Sequence, residues 1–133
     1  MADNSLEIQK AITSTVKAGV ASLSNRVYDM APQNPTFPYV SYGPALSEPY
    51  DGVGMDGWEC LFELHTWSRP ATRDRVECQS IMSIIEQLLH GQVLTLDSET
   101  FVNGRMVSSR TLADPDGVTI HGIQRFRFIT GTA

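Results

Sequence analysis

The sequence has few of the features that mark membrane, secreted or disulfide-rich proteins. No apolar run approaches the roughly 20 residues needed to span a bilayer, and the N-terminal MADNSLEIQK has no apolar stretch of the kind found in signal peptides. The only cysteines are Cys60 and Cys78, and they do not form a CxxC pair. We expect both to be free and buried, as in a protein made in a reducing compartment such as a bacterial cytoplasm.

Charge is also scarce. Charged residues make up 19% of the chain, against about 25% in an ordinary globular protein. Fifteen acidic and ten basic side chains give a net charge of −5. A protein that coats nucleic acid needs a basic stripe, so this role is excluded. The length of 133 residues and the absence of internal repeats predict a single domain over 1–133.

Residues with catalytic or metal-binding spacing are missing as well. The histidines His65, His90 and His121 form no HExxH or HxH pattern, and no GxSxG turn is present for a nucleophile. We expect His65 to be partly exposed on a strand and His90 to lie at a helix C-terminus, where the helix dipole favours it. The sequence therefore predicts no catalytic residue, no metal site and no cofactor.

Two segments have the periodicity of amphipathic helices, with apolar residues at three- and four-residue spacing. The first covers about residues 5–23 and follows a capping box formed by Asn4 and Glu7. The second begins at a cap on Thr72 and reaches about His90. Each helix needs an apolar surface against which its stripe can pack.

The strands are predicted from alternation and from β-branched and aromatic residues. Residues 58–67 form the strongest strand, in which Cys60, Phe62 and Leu64 share one face. A last strand covers residues 119–130. Shorter strands are expected at 26–28, 39–42, 94–96 and 105–109, with turns at 103–104 and 114–117.

The order of these elements predicts the fold class. A helix is followed by short strands, a long strand, a second helix and closing strands. The closing strands are joined by turns too short for a helical crossover, so they should pair antiparallel. We therefore expect an α+β domain: a mostly antiparallel β-sheet with two α-helices packed on one face.

The segment 47–57, SEPYDGVGMDG, combines glycine, proline and acidic residues without stable periodicity. It is interpreted as a long mobile connection at a hairpin tip. Its apolar residues, together with Trp58, exceed what a solvated loop requires, and such an excess is typical of a contact surface. Ile123 and Ile129, which alternate with arginines on the last strand, belong to the same excess.

Arg125 and Arg127 lie on one face of the last strand and permit two interpretations. They could form a small basic patch for phosphates. Alternatively, they pair with Glu59 and Glu63 on a neighbouring strand, which the acidic balance of the chain favours.

Several short motifs occur in an order that resembles a known family. They are Arg26-Val27-Tyr28-Asp29, Pro32, Phe37-Pro38-Tyr39-Val40, Leu64-His65-Thr66-Trp67-Ser68-Arg69, Asp114-Pro115-Asp116-Gly117 and His121-Gly122-Ile123-Gln124-Arg125-Phe126. Over about residues 6–128 the chain resembles the tail-completion or tail-terminator proteins of long-tailed phages and gene transfer agents.

This resemblance implies a structural virion protein and not an enzyme. Such proteins form a hexameric ring at the head-proximal end of the tail, where they stop polymerisation of the tail tube and join the tail to the head. The implied partners are further copies of the chain, the major tail tube protein and the head–tail connector or stopper. DNA passes through the lumen without specific binding, which suits an acidic, charge-poor domain. The implied location is the virion, at the head–tail junction, after assembly in the bacterial host cytoplasm.

We expect the loop region to contact a neighbouring subunit or the tail tube, through Glu48, Tyr50, Asp51, Val53, Met55, Asp56 and Trp58. Two alternatives remain open. One is a head-closure (stopper) protein of the same neck region. The other is a small-ligand-binding or enzymatic α+β domain, which predicts a concave pocket where polar groups such as His65 and His121 converge.

Overall fold

The computed structural model describes residues 5–50, 56–94, 96 and 101–132. These residues form two α-helices, one short 3-10 helix and five strands. In chain order they are α1 Ser5–Gly19, the 3-10 helix Ala21–Leu23, β1 Val27–Tyr28, β2 Tyr39–Pro49, β3 Asp56–Ser68, α2 Val76–Leu89, β4 Phe101–Ala113 and β5 Ile120–Thr132. Among them, no helix is both long enough and apolar enough to cross a bilayer.

All five strands belong to one sheet, in the order β1-β2-β3-β5-β4. The short β1 runs parallel to β2, and every other pairing is antiparallel. Strands β3 and β5 pair along their whole length, from Asp56 opposite Thr132 to Ser68 opposite Ile120. The architecture confirms the predicted α+β class.

The core lies between the helices and one face of the sheet. Alternate residues of β3 and β5 are buried there, and residues from both helices join the same cluster. The main members are Ile8, Ile12 and Val16 of α1, Ile81, Ile85 and Leu89 of α2, and Cys60, Phe62, Leu64, Phe126 and Phe128 of the sheet. The prediction that both helices pack on one face is therefore confirmed.

Hydrogen bonds of the Tyr42 hydroxyl support this packing. The Tyr42 hydroxyl lies 2.7 Å from Thr13 Oγ1 and donates to the Gln9 carbonyl at 3.1 Å, which fixes α1 on β2. Burial raises the pKa of Tyr42 to about 12. Cys60 and Cys78 are both free and buried, as expected.

The helix boundaries differ from those expected. Helix α1 ends at Gly19 and not at residue 23, because Val20 adopts an extended backbone before the 3-10 helix begins. Leu88 also approaches Gly19 closely, since a Cβ at position 19 would lie 2.5 Å from Leu88 Cδ1. The expected capping box cannot be assigned, because Asn4 lies outside the described residues.

Helix α2 begins at Val76, so the cap predicted at Thr72 was wrong. Arg75 is the N-cap and its side chain makes no capping hydrogen bond, while Oδ1 of Asp74, one residue earlier, accepts the backbone N–H of Val76 at 3.1 Å. The C-terminal end agrees better with the sequence. His90 is the C-cap and Gly91 has a left-handed backbone with φ of 71°.

Strand β4 is a single 13-residue strand, so the turn predicted at 103–104 was wrong. Asn103 and Gly104 pair with Ile129 and Phe128 of β5, within the ladder between the two strands. Glycine is needed at position 104 because a Cβ would lie 2.6 Å from the Phe128 ring. The strand expected at 94–96 is reduced to a single bridge from Val93 to Asn103, and position 95 lies outside the described residues.

The connection predicted at 47–57 is a hairpin, but it is shorter than expected. Strand β2 extends to Pro49 and β3 starts at Asp56, so both ends of the segment belong to the ladder. A backbone hydrogen bond from Tyr50 N to Gly57 O, 2.9 Å long, closes the pair. Residues 51–55 lie outside the described part of the chain.

Candidate functional site

The seven candidate contact residues fall into three groups. Asp51, Val53 and Met55 lie outside the described residues. Asp56 is the first residue of β3, and Glu48 and Tyr50 are exposed at the end of β2 and just beyond it. The hairpin therefore brings Glu48, Tyr50 and the start of β3 together at one end of the sheet.

Trp58 lies on β3, whereas Glu48 lies on β2, the other strand of the same hairpin. Its position in β3 alternates with Glu59, and it is half-buried against the hydrophobic core. Packing within its own domain thus accounts for much of its apolar surface. Any contact between Trp58 and a partner would involve only the part of its ring that remains exposed.

Neither of the described helices packs on the opposite face of the sheet, which we call the helix-free face. The side chains that define it on β3 and β5 are Glu59, Leu61, Glu63, His65, Trp67, His121, Ile123, Arg125, Arg127 and Ile129. Charged, imidazole and apolar side chains alternate on this face. Since it is partly accessible, it is the main candidate surface of the domain.

Ion pairs join the two central strands of the helix-free face. Arg125 Nε donates to Glu63 Oε2 at 3.1 Å, and Arg127 Nη2 donates to Glu59 Oε2 at 3.2 Å. These contacts confirm the ion-pair interpretation of the two arginines. Partial burial raises the pKa of Glu63, but hydrogen bonds from His65 and Arg125 outweigh it and lower the pKa overall.

His65 and His121 meet at the other end of the same face. His65 Nδ1 lies 2.6 Å from His121 Nε2, and His65 Nε2 lies 2.6 Å from Glu63 Oε1. With Glu63 ionised, His65 donates through Nε2–H to the carboxylate and accepts at Nδ1 from His121 Nε2–H. Gly43 makes room for this chain, because a Cβ there would lie 2.5 Å from His65 Nε2.

Aromatic stacking holds the histidine pair in place. The His121 ring lies on the Trp67 ring with 3.7 Å between centroids, and Trp67 in turn stacks on Tyr39 at 6.2 Å. Burial and the neighbouring His65 lower the pKa of His121, which therefore favours its neutral form. Alternation alone predicted both histidines on strands, but it could not predict their contact because that depends on the pairing of β3 with β5.

This cluster brings together the two histidines that the ligand-binding alternative expected to converge. The rings of the cluster lie on the helix-free face, where the His65 side chain is 16% exposed. Within residues 5–50, 56–94, 96 and 101–132, no group of three or more His, Cys, Asp or Glu could hold a metal ion. His90 takes no part in it, since its Nδ1 accepts the Met106 backbone N–H at 2.9 Å.

A shallow apolar groove of about 240 Å³ opens beside the ion pair of Arg125 and Glu63. Leu46, Leu61 and Val107 line it together with Pro44, Ala45 and the stem of Arg125. Leu46 is 51% exposed and Val107 is 58% exposed, which is high for large apolar residues. Sequence patterning did not single out either residue, because Val107 lies in a β-bulge and the end of β2 was assigned to a loop.

Each side of the sheet ends in a partly open strand. Among the described residues, β1 covers β2 only at Val40 and Ser41, and no described backbone group pairs with the β2 edge over residues 43–49. The β4 edge is covered near Gly104 by backbone hydrogen bonds with the loop after α2. Beyond the bulge, at residues 107–113, no backbone partner covers it within the part of the chain that the structure describes.

Comparisons with known proteins agree with this architecture. The family model of tail completion protein gp17 matches residues 9–131. The tail completion protein gp17 of Bacillus phage SPP1 is 29% identical over 123 residues, which cover 91% of this chain and 90% of that protein. The solved structure of bacteriophage SPP1 gp17 has a TM-score of 0.61 at 27% identity, covering 91% of this chain and 86% of that chain.

A chain in the virion of a native gene transfer agent particle has the same fold. Its TM-score is 0.82 at 17% identity, and the match covers 99% of this chain and 100% of that chain. The family match nearly spans the described domain and confirms the resemblance seen in the motifs. The chain therefore belongs to the tail completion protein gp17 family and is a structural component of a virion tail, where it contacts other virion proteins.

Proposed function

We propose that this protein forms a ring of six subunits at the head-proximal end of the tail tube. The ring stops polymerisation of the tube and joins the finished tail to the connector on the head. DNA passes through its lumen. The subunit thus acts as a structural cap and has no chemical activity.

The observation that carries this proposal is the pair of open edges on opposite sides of one sheet. A head-to-tail ring needs two different surfaces on each subunit, one for each neighbour. Residues 43–49 of β2 and residues 107–113 of β4 supply two such surfaces. Because open edges can pair with another chain, both surfaces suit contacts between subunits.

The hairpin between β2 and β3 supplies a further contact, with a neighbouring subunit or with the tail tube. We assign it to the region of Glu48, Tyr50, Asp51, Val53, Met55, Asp56 and Trp58. Support comes from the described members: Glu48 is exposed and Tyr50 remains 39% exposed at the end of β2. An exposed aromatic ring beside a carboxylate suits a contact that combines burial with hydrogen bonding.

The charge distribution suits a channel through which DNA slides. The net charge is −5, and ion pairs occupy Arg125 and Arg127 on the helix-free face. Tight binding of DNA requires free cations that displace counterions from phosphates. The net negative charge and the pairing of these two arginines reduce that attraction.

Removal of the protein from an assembling particle tests this proposal. We expect tail tubes of irregular, excessive length that do not join to heads, because nothing ends polymerisation. Electron cryomicroscopy of the complete particle should show six copies between the tube and the connector. Tails of normal length combined with leaking heads would indicate a head-closure protein instead, and a single copy per tail would exclude the ring.

A matched pair of variants tests the hairpin contact. Tyr50→Ala should reduce the number of joined particles in a complementation assay, because it removes an exposed ring from the proposed contact. Met30→Ala is the control, since Met30 is 89% exposed but lies in the loop after β1. Equal numbers of joined particles for both variants would contradict the assignment of the hairpin.

A further inference from the structure

We infer that subunits of the proposed ring join by extending one another's sheet. Residues 45–49 of β2 in one copy pair antiparallel with residues 109–113 of β4 in the next copy. The occupant of each open edge is therefore a second copy of this chain. This inference rests on the ring proposed above and specifies the surface through which it closes.

The first support is the set of backbone groups that β2 leaves free. The hydrogen bond from Tyr50 N to Gly57 O shows that Tyr50 faces β3. In an antiparallel ladder the direction of the backbone groups alternates, so Pro49, Ser47 and Ala45 face away from β3. Proline has no N–H to leave unsatisfied, but Ser47 and Ala45 each present a donor and an acceptor to the outside.

The free part of β4 is complementary to this edge. Gly104 and Met106 also face outward, but the Gly91–Gln92 backbone and His90 already bond to them. After the bulge at Val107, the same alternation turns Ser109, Thr111 and Ala113 outward. Both open edges are therefore about seven residues long, and each carries alternating donors and acceptors.

Strand direction permits this contact without turning one subunit over. Strands β2, β3, β5 and β4 follow one another in the sheet, and each pair is antiparallel. Strands β2 and β4 therefore run in opposite directions. When a second copy continues the sheet in the same orientation, its β2 meets the first copy's β4 antiparallel, as repeated rotation about one axis requires.

Side chains select one register. Glu48 and Leu46 lie on the helix-free face of β2, and Arg110 and Leu112 lie on the same face of β4. The register that places Glu48 opposite Arg110 also places Leu46 opposite Leu112. Shifting it by two residues would instead place Leu46 opposite Arg110, which separates the charges and leaves an arginine against a leucine.

The charged groups that this register brings together, Glu48 and Arg110, are available to a neighbouring subunit. Glu48 and Arg110 are both exposed, and neither forms an ion pair with another of the described residues in its own subunit. Leu46, 51% exposed in the isolated subunit, would be covered. The contact therefore combines backbone hydrogen bonds, an ion pair and an apolar pair between cross-strand neighbours.

Disulfide trapping in assembled tails tests the register. Directly opposed residues of an antiparallel pair lie close enough for a disulfide. We expect the double variant Leu46→Cys/Leu112→Cys to give a ladder of covalent oligomers up to the full ring after mild oxidation. The native Cys60 and Cys78 are buried and should not contribute.

Single variants show whether the contact is head to tail. Leu46→Cys alone and Leu112→Cys alone should give no covalent oligomers, whereas their mixture should give dimers and nothing larger. Leu6→Cys/Val76→Cys, at two exposed positions on the helices, is the control for random collision. Dimers from Leu46→Cys alone would overturn the inference, since they would show two β2 edges in contact.

Charge reversal provides an independent test. Glu48→Arg and Arg110→Glu should each weaken association by at least about tenfold, because like charges then face each other. The double reversal should restore it. Rings seen by electron cryomicroscopy without specific disulfides or this rescue would refute the edge contact and leave the ring intact, whereas absence of rings in wild-type tails would refute the proposed function.

Discussion

The two faces of the sheet use the same strands for different purposes. On the helix-covered face, Phe126 and Phe128 are fully buried and Phe62 is almost so. One residue away along the strands, Arg125 is 64% exposed and contacts a Glu63 side chain that is 15% exposed. Alternation therefore divides each strand into residues that stabilise the domain and residues that remain available to partners.

The difference lies in the kind of interaction as well as in burial. The covered face depends on apolar packing, which is worth roughly 25 cal/mol per Å² removed from water. The helix-free face has ion pairs, a histidine pair and stacked rings, which contribute little each when solvent can reach them. Substitutions on the two faces should therefore have effects of different size and of different pH dependence.

The largest expected effect comes from the covered face. Phe126→Ala should lower the free energy of unfolding by about 3–5 kcal/mol, because Phe126 is fully buried and the truncation leaves a cavity. Ile123→Ala is the matched truncation on the helix-free face of the same strand and should cost about 1 kcal/mol or less. Urea-induced unfolding of both variants measures the two losses. Similar losses would mean that the helix-free face is as well packed as the core.

A pH-dependent effect should come from His121. Its pKa in the folded protein is lowered by burial and by His65, so the unfolded chain binds the proton more readily. Stability is then fully present above the unfolded pKa of about 6.5 and falls as the pH drops toward the folded value. Asp114 and Glu63 oppose this shift, whereas Arg110 adds to it.

The variant His121→Phe isolates this contribution. Phenylalanine keeps a ring on Trp67 but cannot take up a proton. The variant should therefore lose less stability between pH 7.5 and pH 5.5 than the wild-type protein does. Thermal unfolding at both pH values measures the difference. His90→Phe is the control at an exposed histidine outside the cluster, and identical pH profiles for His121→Phe and the wild type would contradict the assignment.

The smallest expected effect comes from the exposed ion pair of Arg127 and Glu59. Their side chains are 38% and 26% exposed, so solvent screens the attraction. A double-mutant cycle with Arg127→Ala and Glu59→Ala should give a coupling energy of about 0.2–1 kcal/mol that falls with added salt. A larger coupling that does not change with salt would show that this part of the helix-free face is shielded from water.

Local patterning predicted much of the fold. Alternation at Cys60, Phe62 and Leu64 identified the buried face of β3, and the charge of the chain favoured the observed partners of Arg125 and Arg127. The second helix and its end at His90 were also expected from spacing alone. These features depend on residues close in sequence or on simple charge balance, which a sequence expresses directly.

The remaining features depend on neighbours that are distant in sequence. Asn103-Gly104 has the composition of a turn, but Gly104 is there because Phe128 fills the space that its side chain would need. The contact of His65 with His121 follows from the register of β3 with β5. The two open edges follow from the strand order, and no local pattern marks a strand as the last of its sheet.

The prolines of β2 bear on what happens before assembly. Pro44 lies in the irregular segment between Tyr42 and Ala45, and Pro49 ends the strand. Neither has an N–H, so continuous pairing along this edge is limited to the few residues between them. Long stacked sheets of the kind that form fibrils need an unbroken edge. The two prolines therefore disfavour long edge-to-edge pairing, and the short segment between them keeps its backbone N–H groups.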